Sequence, residues 1–337
     1  MKALTLRQIK SPLELEDRPD LVPGADEVVV RLKSAALNRR DFWITQGLYP
    51  GIDPPVILGS DGAGRVIQTG SELGNFWQDR EVIVNPGMEW GETQAFQGDH
   101  FSILGLPRDG TFATEVTVPA SQLHAKPEHL NWDQAASLPL AGVTAWRALF
   151  SQGGLQSGES VLITGIGGGV ASAALQFAVA AGANVWVTSS SPDKIERACH
   201  LGALGGYDYT SDGWWKQMSN DVGPPNLIVD SAGGSGYASL VNLAAPGGRI
   251  VNYGATTGPP EKLDLFKVFW KQLQIQGTTM GSPEDFADML KFVEEKQIIP
   301  LVDSVMPLAD GNLALEKMTS SPQFGKYVLT MEQYDDE

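Results

Sequence analysis

Ser160-Val161-Leu162-Ile163-Thr164-Gly165-Ile166-Gly167-Gly168-Gly169-Val170-Ala171 is the stretch on which the fold turns. Its first half is an apolar run of strand character that stops at Gly165. Past the glycines, Ala171 to Ala181 is rich in Ala and reads as helix. A glycine cluster between a strand and a helix has a physical use. Glycine lets the backbone turn tightly. It also lets a pyrophosphate approach the helix N-terminus, where free N–H groups and the helix dipole favour anions. A strict Gly-x-Gly-x-x-Gly counted from Gly165 fails, because position 170 is Val. The longer form Gly165-x-x-Gly168-x-x-Ala171 fits, with Ala171 as the small residue that helix–strand packing needs. A ligand-free βα turn is the other reading of the same residues.

Outward from this turn the alternation continues. Asp133 to Phe150 reads as helix, and Asn184-Val185-Trp186-Val187-Thr188 as a second strand. Ser191-Pro192-Asp193 opens a helix, with Ser as N-cap and Pro at the first helical position. Leu227 to Asp230, Arg249 to Tyr253 and Leu273 to Gln276 read as further strands. Strands and helices alternating at this spacing predict a parallel sheet covered on both faces. Residues 1 to about 125 have another texture, with short β-branched runs between Gly/Pro turns. Val28–Leu32, Val56–Leu58, Val82–Val84 and Glu115–Val118 read as strands of a compact β-rich domain. The tail carries a helix from Pro283 to Glu295 capped by Ser282, then strands at Val302–Pro307 and Lys326–Leu329.

The chain has 337 residues, 42% of them hydrophobic and 19% charged, which suits a globular protein of two domains. The net charge of −16 argues against nonspecific binding to nucleic acid or to an anionic membrane. No apolar run is long enough to span a bilayer, and the N-terminus lacks the apolar stretch of a signal peptide. Cys199 is the single cysteine, which excludes an internal disulfide and a Cys-based zinc cluster. These features favour the cytoplasm. The acidic tail Glu332 to Glu337 reads as a frayed end.

Two short segments add chemistry: Asn38-Arg39-Arg40-Asp41 and Gly59-Ser60-Asp61-Gly62-Ala63-Gly64. They resemble two catalytic motifs of the medium-chain dehydrogenase/reductase superfamily, and the likeness covers nearly the whole chain. Zinc alcohol dehydrogenases of that superfamily carry Cys-x-x-Asp and Gly-His-Glu-x-x-Gly there. This chain has Asn for the Cys, Ser for the His and Asp for the Glu. The third ligand position falls near Leu140, and the region of the structural-zinc lobe, Asn85 to Arg108, has no Cys. His100 lies in it alone. The zinc-free quinone and enone reductases are therefore the branch most resembled. The resemblance implies an α/β fold, a GroES-like β-rich catalytic domain plus a Rossmann doubly wound parallel-sheet cofactor domain. The second is expected as an insertion, with 1–125 and 268–337 forming the catalytic part and 126–267 the NADP-binding part. Relatives commonly dimerise, which implies a homodimer.

The expected cofactor site starts at Gly165, Gly168, Gly169 and Val170. An NAD-preferring site places a carboxylate at the end of the second strand. Here Thr188-Ser189-Ser190-Ser191 has none, and Lys194 follows in the first helical turn. Hydroxyls plus Lys suit a 2′-phosphate, so NADP(H) is expected, with Ser189, Ser190 and Lys194 as contacts. By resemblance Tyr209 joins them. Gly233 and Gly254 follow strands of the same sheet, and Thr278 lies in a segment that resembles the return past the nicotinamide. Thr144 and Tyr49 match residues near that ring, and the Asn38 amide is placed to contact the cofactor ribose or a substrate oxygen. For Lys194 alone a solvated helix charge, and for the glycines simple turns, explain the sequence nearly as well.

Without a metal, alcohol oxidation lacks its electrophile. Hydride addition to a quinone or an α,β-unsaturated carbonyl stays feasible, because the acceptor is already electron-poor and needs orientation and oxyanion stabilisation. Asn38, Tyr49 and Asp61 are the expected catalytic residues, with Tyr49 or solvent as the proton source. No metal site is expected. Asn38 as a turn cap, Tyr49 as packing before Pro50 and Thr144 as a helix residue remain equal readings. An enoyl-thioester reductase, a zinc-type alcohol dehydrogenase with atypical ligands and a non-catalytic NADPH-binding protein remain alternatives.

Overall fold

The computed structural model describes residues 1–320 and 323–334. The chain divides into two compact units, Met1–Ala141 with Ser282–Glu337, and Gly142–Gly281.

The Gly142–Gly281 unit is built on a six-stranded sheet with every neighbouring pair parallel. Across the sheet the order is Gly205–Tyr207, Asn184–Thr188, Ser160–Ile163, Leu227–Asp230, Arg249–Asn252, Gln274–Gly277. The Ser160–Ile163 strand is the turning point. Successive strands step away from it to one side, then the chain returns and steps away on the other. In such sheets the carboxyl ends beside that reversal form the ligand crevice. Val161, Leu162 and Ile163 are fully buried, as a strand covered on both faces requires. Helix Gly169–Ala180 follows through the glycine turn, and helix Pro192–His200 follows Asn184–Thr188 with Ser191 accepting from the Lys194 N–H.

The other unit holds a seven-stranded, a three-stranded and a two-stranded sheet. Strand Glu27–Ala36 is its spine, pairing antiparallel with Asp61–Thr69, Glu115–Pro119 and Lys326–Thr330. The C-terminal segment therefore closes the sheet opened near the N-terminus, and the parallel-sheet unit interrupts it. Gly64 is required where two strands cross closely: a Cβ there would lie 2.1 Å from the Arg31 carbonyl oxygen.

Several boundaries differ from the sequence expectation. Residues 126–141 belong with the β-rich unit, because helix Trp132–Ser137 packs on strands Glu27–Ala36 and Asp61–Thr69. Residues 268–281 belong with the parallel sheet, since Gln274–Gly277 is its sixth strand. The single helix expected from Asp133 to Phe150 is three pieces: Trp132–Ser137, Pro139–Trp146 and a π-turn at Arg147–Ser151. Pro139 has no N–H to continue the first helix and opens the second. Gly205–Tyr207 is a strand that the sequence did not signal, for Gly-Gly-Tyr has no β-branched residue. Glu332–Tyr334 forms a 3-10 turn, and the rest of the acidic tail, 335–337, lies outside the described residues.

Candidate functional site

In the parallel-sheet unit the glycine turn has the geometry its sequence anticipated. Gly165 and Gly167 have φ of +64° and +116°, values that side chains with a Cβ rarely adopt. The Gly165 N–H donates to the Thr188 hydroxyl of the neighbouring strand at 3.2 Å. Gly168 is the N-cap of helix Gly169–Ala180, is exposed, and a Cβ on it would meet nothing within 4 Å. Gly169 and Val170 form the first turn, half-buried. The open N-terminus of a twelve-residue helix is thus free for a phosphate group, and the residues fit a dinucleotide.

At the end of the second strand the hydroxyls divide. Ser189 is buried, and its Oγ accepts from the Ser191 N–H at 3.1 Å, holding its own turn. Ser190 is exposed and lies 3.4 Å from the Tyr209 hydroxyl, which donates to it. Two residues nineteen apart in sequence are thereby brought together, with Lys194 in the first turn of the adjoining helix.

Behind the crevice a buried network ties three strand ends. Asp230 accepts from the Thr164 hydroxyl at 2.6 Å, the Gly233 N–H at 2.9 Å and the Asn252 amide at 3.1 Å. Tyr237 donates to Asn252 Oδ1 at 2.7 Å. Burial and the nearby Asp230 charge push the Tyr237 phenol up to about 12, so it stays protonated and donating. Gly233, with φ of +66°, is held in its turn by this network. A Cβ on Gly254 would lie 3.2 Å from the Ser231 carbonyl oxygen. Thr278 follows the sixth strand, and its buried hydroxyl has no partner among the described residues. Thr144 is buried in helix Pro139–Trp146. Sequence reasoning missed Asp230, although an acid ending the run Leu227-Ile228-Val229 was a legible signal.

In the β-rich unit, Asn38 and Asp61 meet. Asn38 Nδ2 donates to Asp61 Oδ2 at 2.9 Å, and both contact Lys326, whose Nζ lies 2.5 Å from Asn38 Oδ1 and 2.9 Å from Asp61 Oδ2. The Leu140 N–H donates to Asp61 Oδ1 at 2.8 Å. Asp61 is fully buried and accepts at both oxygens, once at Oδ1 and twice at Oδ2, which anchors it inside the unit. Asn38 stands at the N-cap position of helix Arg39–Thr45, but its side chain does no capping. The Asp41 carboxylate caps instead, accepting from the Asn38 N–H at 2.7 Å. Ser60 donates to the Leu104 carbonyl at 2.8 Å and accepts from Arg40 Nη1 at 2.7 Å. The Arg40 guanidinium lies 5.1 Å from the Tyr49 ring centre, and no hydrogen bond among the described residues joins Tyr49 to Asn38 or Asp61. Lys326 and Arg40 were missed by sequence reasoning. A lysine opening an apolar strand directly after Gly325 was the available clue.

Zinc does not fit this donor set. The four positions that would ligate it present an amide, a hydroxyl already paired twice, a carboxylate accepting three hydrogen bonds and a leucine, with an ammonium among them. Among the described residues no three His, Cys, Asp or Glu side chains come together as a metal site. The Asn85 to Arg108 lobe is instead pinned by Trp90, which donates to the Thr93 carbonyl and packs edge-on against Phe101.

Asp41 carries a testable cost. Burial lifts its carboxyl to about 6, against the pull of the Arg40 and Lys326 charges, and its Oδ1 has no partner among the described residues. The unfolded chain releases this proton near pH 4 and the folded one near pH 6. Stability therefore falls as pH rises from 4 to 6, and the full cost stands above 6. Asp41→Asn is expected to raise unfolding stability by about 1–2 kcal/mol at pH 7.5 and to have little effect at pH 4. Urea titrations at the two pH values measure it.

A doubly wound unit with an open glycine turn, in one chain with a β-rich unit closed by its own C-terminus, defines a two-domain nicotinamide-dependent oxidoreductase. The chain belongs to the medium-chain dehydrogenase/reductase superfamily. The family models for the alcohol dehydrogenase GroES-like domain and for zinc-binding dehydrogenase match residues 24–128 and 169–295. The zinc-type alcohol dehydrogenase-like protein YogA of Leptosphaeria maculans is 35% identical, over 96% of this chain and 95% of its own. Acryloyl-coenzyme A reductase of Sulfurisphaera tokodaii is 29% identical, over 98% and 99%. A crystallised NAD-dependent alcohol dehydrogenase superposes with a TM-score of 0.92 at 36% identity, covering 98% of this chain and 100% of the other. The chain is thus an NAD(P)-dependent oxidoreductase acting on a small molecule. No helix among the described residues is long and apolar enough to cross a membrane.

Proposed function

We propose that this enzyme passes hydride from NADPH to a quinone or an α,β-unsaturated carbonyl without a catalytic zinc, as in the quinone and enone reductases of its superfamily. The observation that carries the reading is the closed cluster of Asn38, Asp61 and Lys326 where zinc dehydrogenases hold ligands. When bound, NADPH supplies the hydride. The glycine turn from Gly165 to Val170 would receive the pyrophosphate, and Gly233, Gly254, Thr144 and Thr278 would shape the nicotinamide side. The acceptor carbon takes the hydride, and the resulting enolate or quinol oxygen needs a hydrogen-bond donor and a proton. Asn38 offers an amide N–H. Tyr49 or solvent supplies the proton.

NADPH oxidation by the chelator-treated enzyme, run against quinones and enones, tests this. Turnover is expected with metal absent. Alcohol oxidation that tracks one bound zinc per chain would overturn the reading. Enoyl-thioester reduction is the second reading, favoured by the likeness to acryloyl-coenzyme A reductase. Preference for a coenzyme A thioester over its free-acid or ketone analogue would establish it. Tight cofactor binding with no turnover on any acceptor would favour a binding protein.

The NADPH preference rests on the acid-free end of the second strand, on Ser190 with Tyr209, and on Lys194. Lys194→Ala is expected to raise the NADPH dissociation constant about tenfold, the loss of roughly 1.4 kcal/mol of charge-assisted bonding, and to change that of NADH less than twofold. Fluorescence titration with both cofactors reads this, and an unchanged NADPH constant would remove Lys194 from the site. A homodimer is also proposed. Strand Gln274–Gly277 is an open sheet edge, and helix Leu265–Trp270 beside it exposes Leu265, Phe266, Phe269 and Trp270.

A further inference from the structure

Asp230 ends strand Leu227–Asp230 and is 1% exposed. Its partners are a hydroxyl, a backbone N–H and an amide, from Thr164, Gly233 and Asn252. No Lys, Arg or His forms an ion pair with it among the described residues. Asp61, by contrast, is buried against Lys326. The contacts suit the anion. The Thr164 oxygen accepts from the Ser231 N–H at 3.3 Å, so its own proton turns to Asp230. Tyr237 donates to Asn252 Oδ1, so Nδ2 of that amide turns to Asp230. Every neighbour donates, and a carboxylate needs no proton to meet them. Its charge acts on the groups around it. Burial, and after it the Asp230 charge, push the Tyr237 and Tyr253 phenols up to about 12.

A buried anion with only neutral partners is costly. Bracing the turn does not account for it, because residues 231–234 are laced to the next turn without it. The Ser231 carbonyl accepts from the N–H and hydroxyl of Thr256, the Ala232 carbonyl from those of Thr257, and the Gly234 N–H donates to the Gly258 carbonyl. What Asp230 adds is charge. Gly165, directly after Thr164, is exposed, and so is Gly254 beyond the next strand. The anion therefore lies beneath a surface that a ligand can reach, one hydrogen bond from the Gly233 turn.

We propose that Asp230 is a buried counter-charge for the nicotinamide ring, one that favours the oxidised cofactor over the reduced one and so favours release of hydride to the acceptor. This rests on the reading above, in which Gly233 and Gly254 shape the nicotinamide side. Loss of hydride turns the neutral dihydropyridine ring into a cationic pyridinium, while the phosphates keep their charge. A fixed anion beneath the surface that receives the ring therefore discriminates between the two forms at the ring alone. A unit charge ~10 Å from another, at an effective dielectric near 20, shifts an equilibrium about tenfold. By linkage the same factor enters the equilibrium for hydride transfer on the enzyme.

The test measures dissociation constants for NADP+ and for NADPH, with no acceptor present, in wild type, Asp230→Asn, Asp230→Ser and Tyr237→Phe. Asn is isosteric and neutral, and the Thr164 hydroxyl can accept from it instead of donating. Asp230→Ser is the second neutral variant, in case the Asn variant fails to fold. The quantity read is the ratio of the two constants, NADP+ over NADPH, in which a general loosening of the site and any repulsion of the phosphates cancel. Both Asp230 variants are expected to raise this ratio about tenfold, and Tyr237→Phe, which removes one bond of the network and leaves the charge, to hold it within about twofold. An unchanged ratio in folded Asp230 variants would overturn the proposal. An equal rise in Tyr237→Phe would overturn it too, because packing would then be the cause. No acceptor takes part, so the result stands even for a wild type inactive on every quinone and enone. A wild type that binds neither form would remove the cofactor reading, and the proposal with it.

Discussion

Asp61→Ala is expected to destabilise the protein by about 3–5 kcal/mol, the cost of leaving one member of a buried ion pair without the other. The carboxylate is fully buried and accepts from the Lys326 ammonium, the Asn38 amide and the Leu140 N–H. Alanine strands all three donors in the interior, where each unmet bond costs more than the bond itself contributed. The ammonium is the worst case, because its remaining partner is a neutral amide oxygen. Urea unfolding of the cofactor-free protein measures the loss. Asp61→Ala combined with Lys326→Met should recover part of it, since the pair then leaves no charge behind. A loss under 1 kcal/mol would mean that solvent reaches the cluster.

Gly168→Asp is expected to separate folding from binding, with opposite signs. Gly168 has φ of −69° and ψ of 153°, extended values that any residue adopts, and open space where a Cβ would stand. Asp is a favoured N-cap and complements the helix dipole, so stability should hold or rise by a few tenths of a kcal/mol. The same carboxylate would occupy the N–H groups proposed to receive the pyrophosphate and repel its charge. Cofactor affinity should fall on the order of 100-fold, about 2.8 kcal/mol. Thermal unfolding of the apo protein and cofactor titration together check it. Undiminished binding would show that the pyrophosphate does not use this helix.

Much of the parallel-sheet unit was legible because its signals are local. The run Val161-Leu162-Ile163, the glycines after it and the Ser191 cap each state their conformation within a few residues. Failures came where a local signal was weak or contradicted. Gly205–Tyr207 is a strand because Trp186 to Thr188 beside it supplies the hydrogen-bond ladder, whatever its own propensity. The limits of the two compact units differ from the expected domains for a related reason. Helix Trp132–Ser137 resembles the helices after it in composition, and only its packing partners assign it to the β-rich unit.

The candidate site divides in the same way. Asn38 and Asp61 were visible as substitutions in recognisable motifs, and so was the lack of thiolate and imidazole donors. What those residues do instead was not visible, because their partner Lys326 lies 265 positions beyond Asp61. By itself the sequence determined the class of fold and the glycine turn between strand and helix, since each depends on residue type and short spacing. The tertiary structure alone decided that Asp61 meets Lys326, that Ser189 holds its own turn while Ser190 meets Tyr209, and which way the Asn38 amide faces. Hydrogen bonds and burial are set by what the closed chain brings within about 3 Å, and short-range sequence order carries no record of that distance.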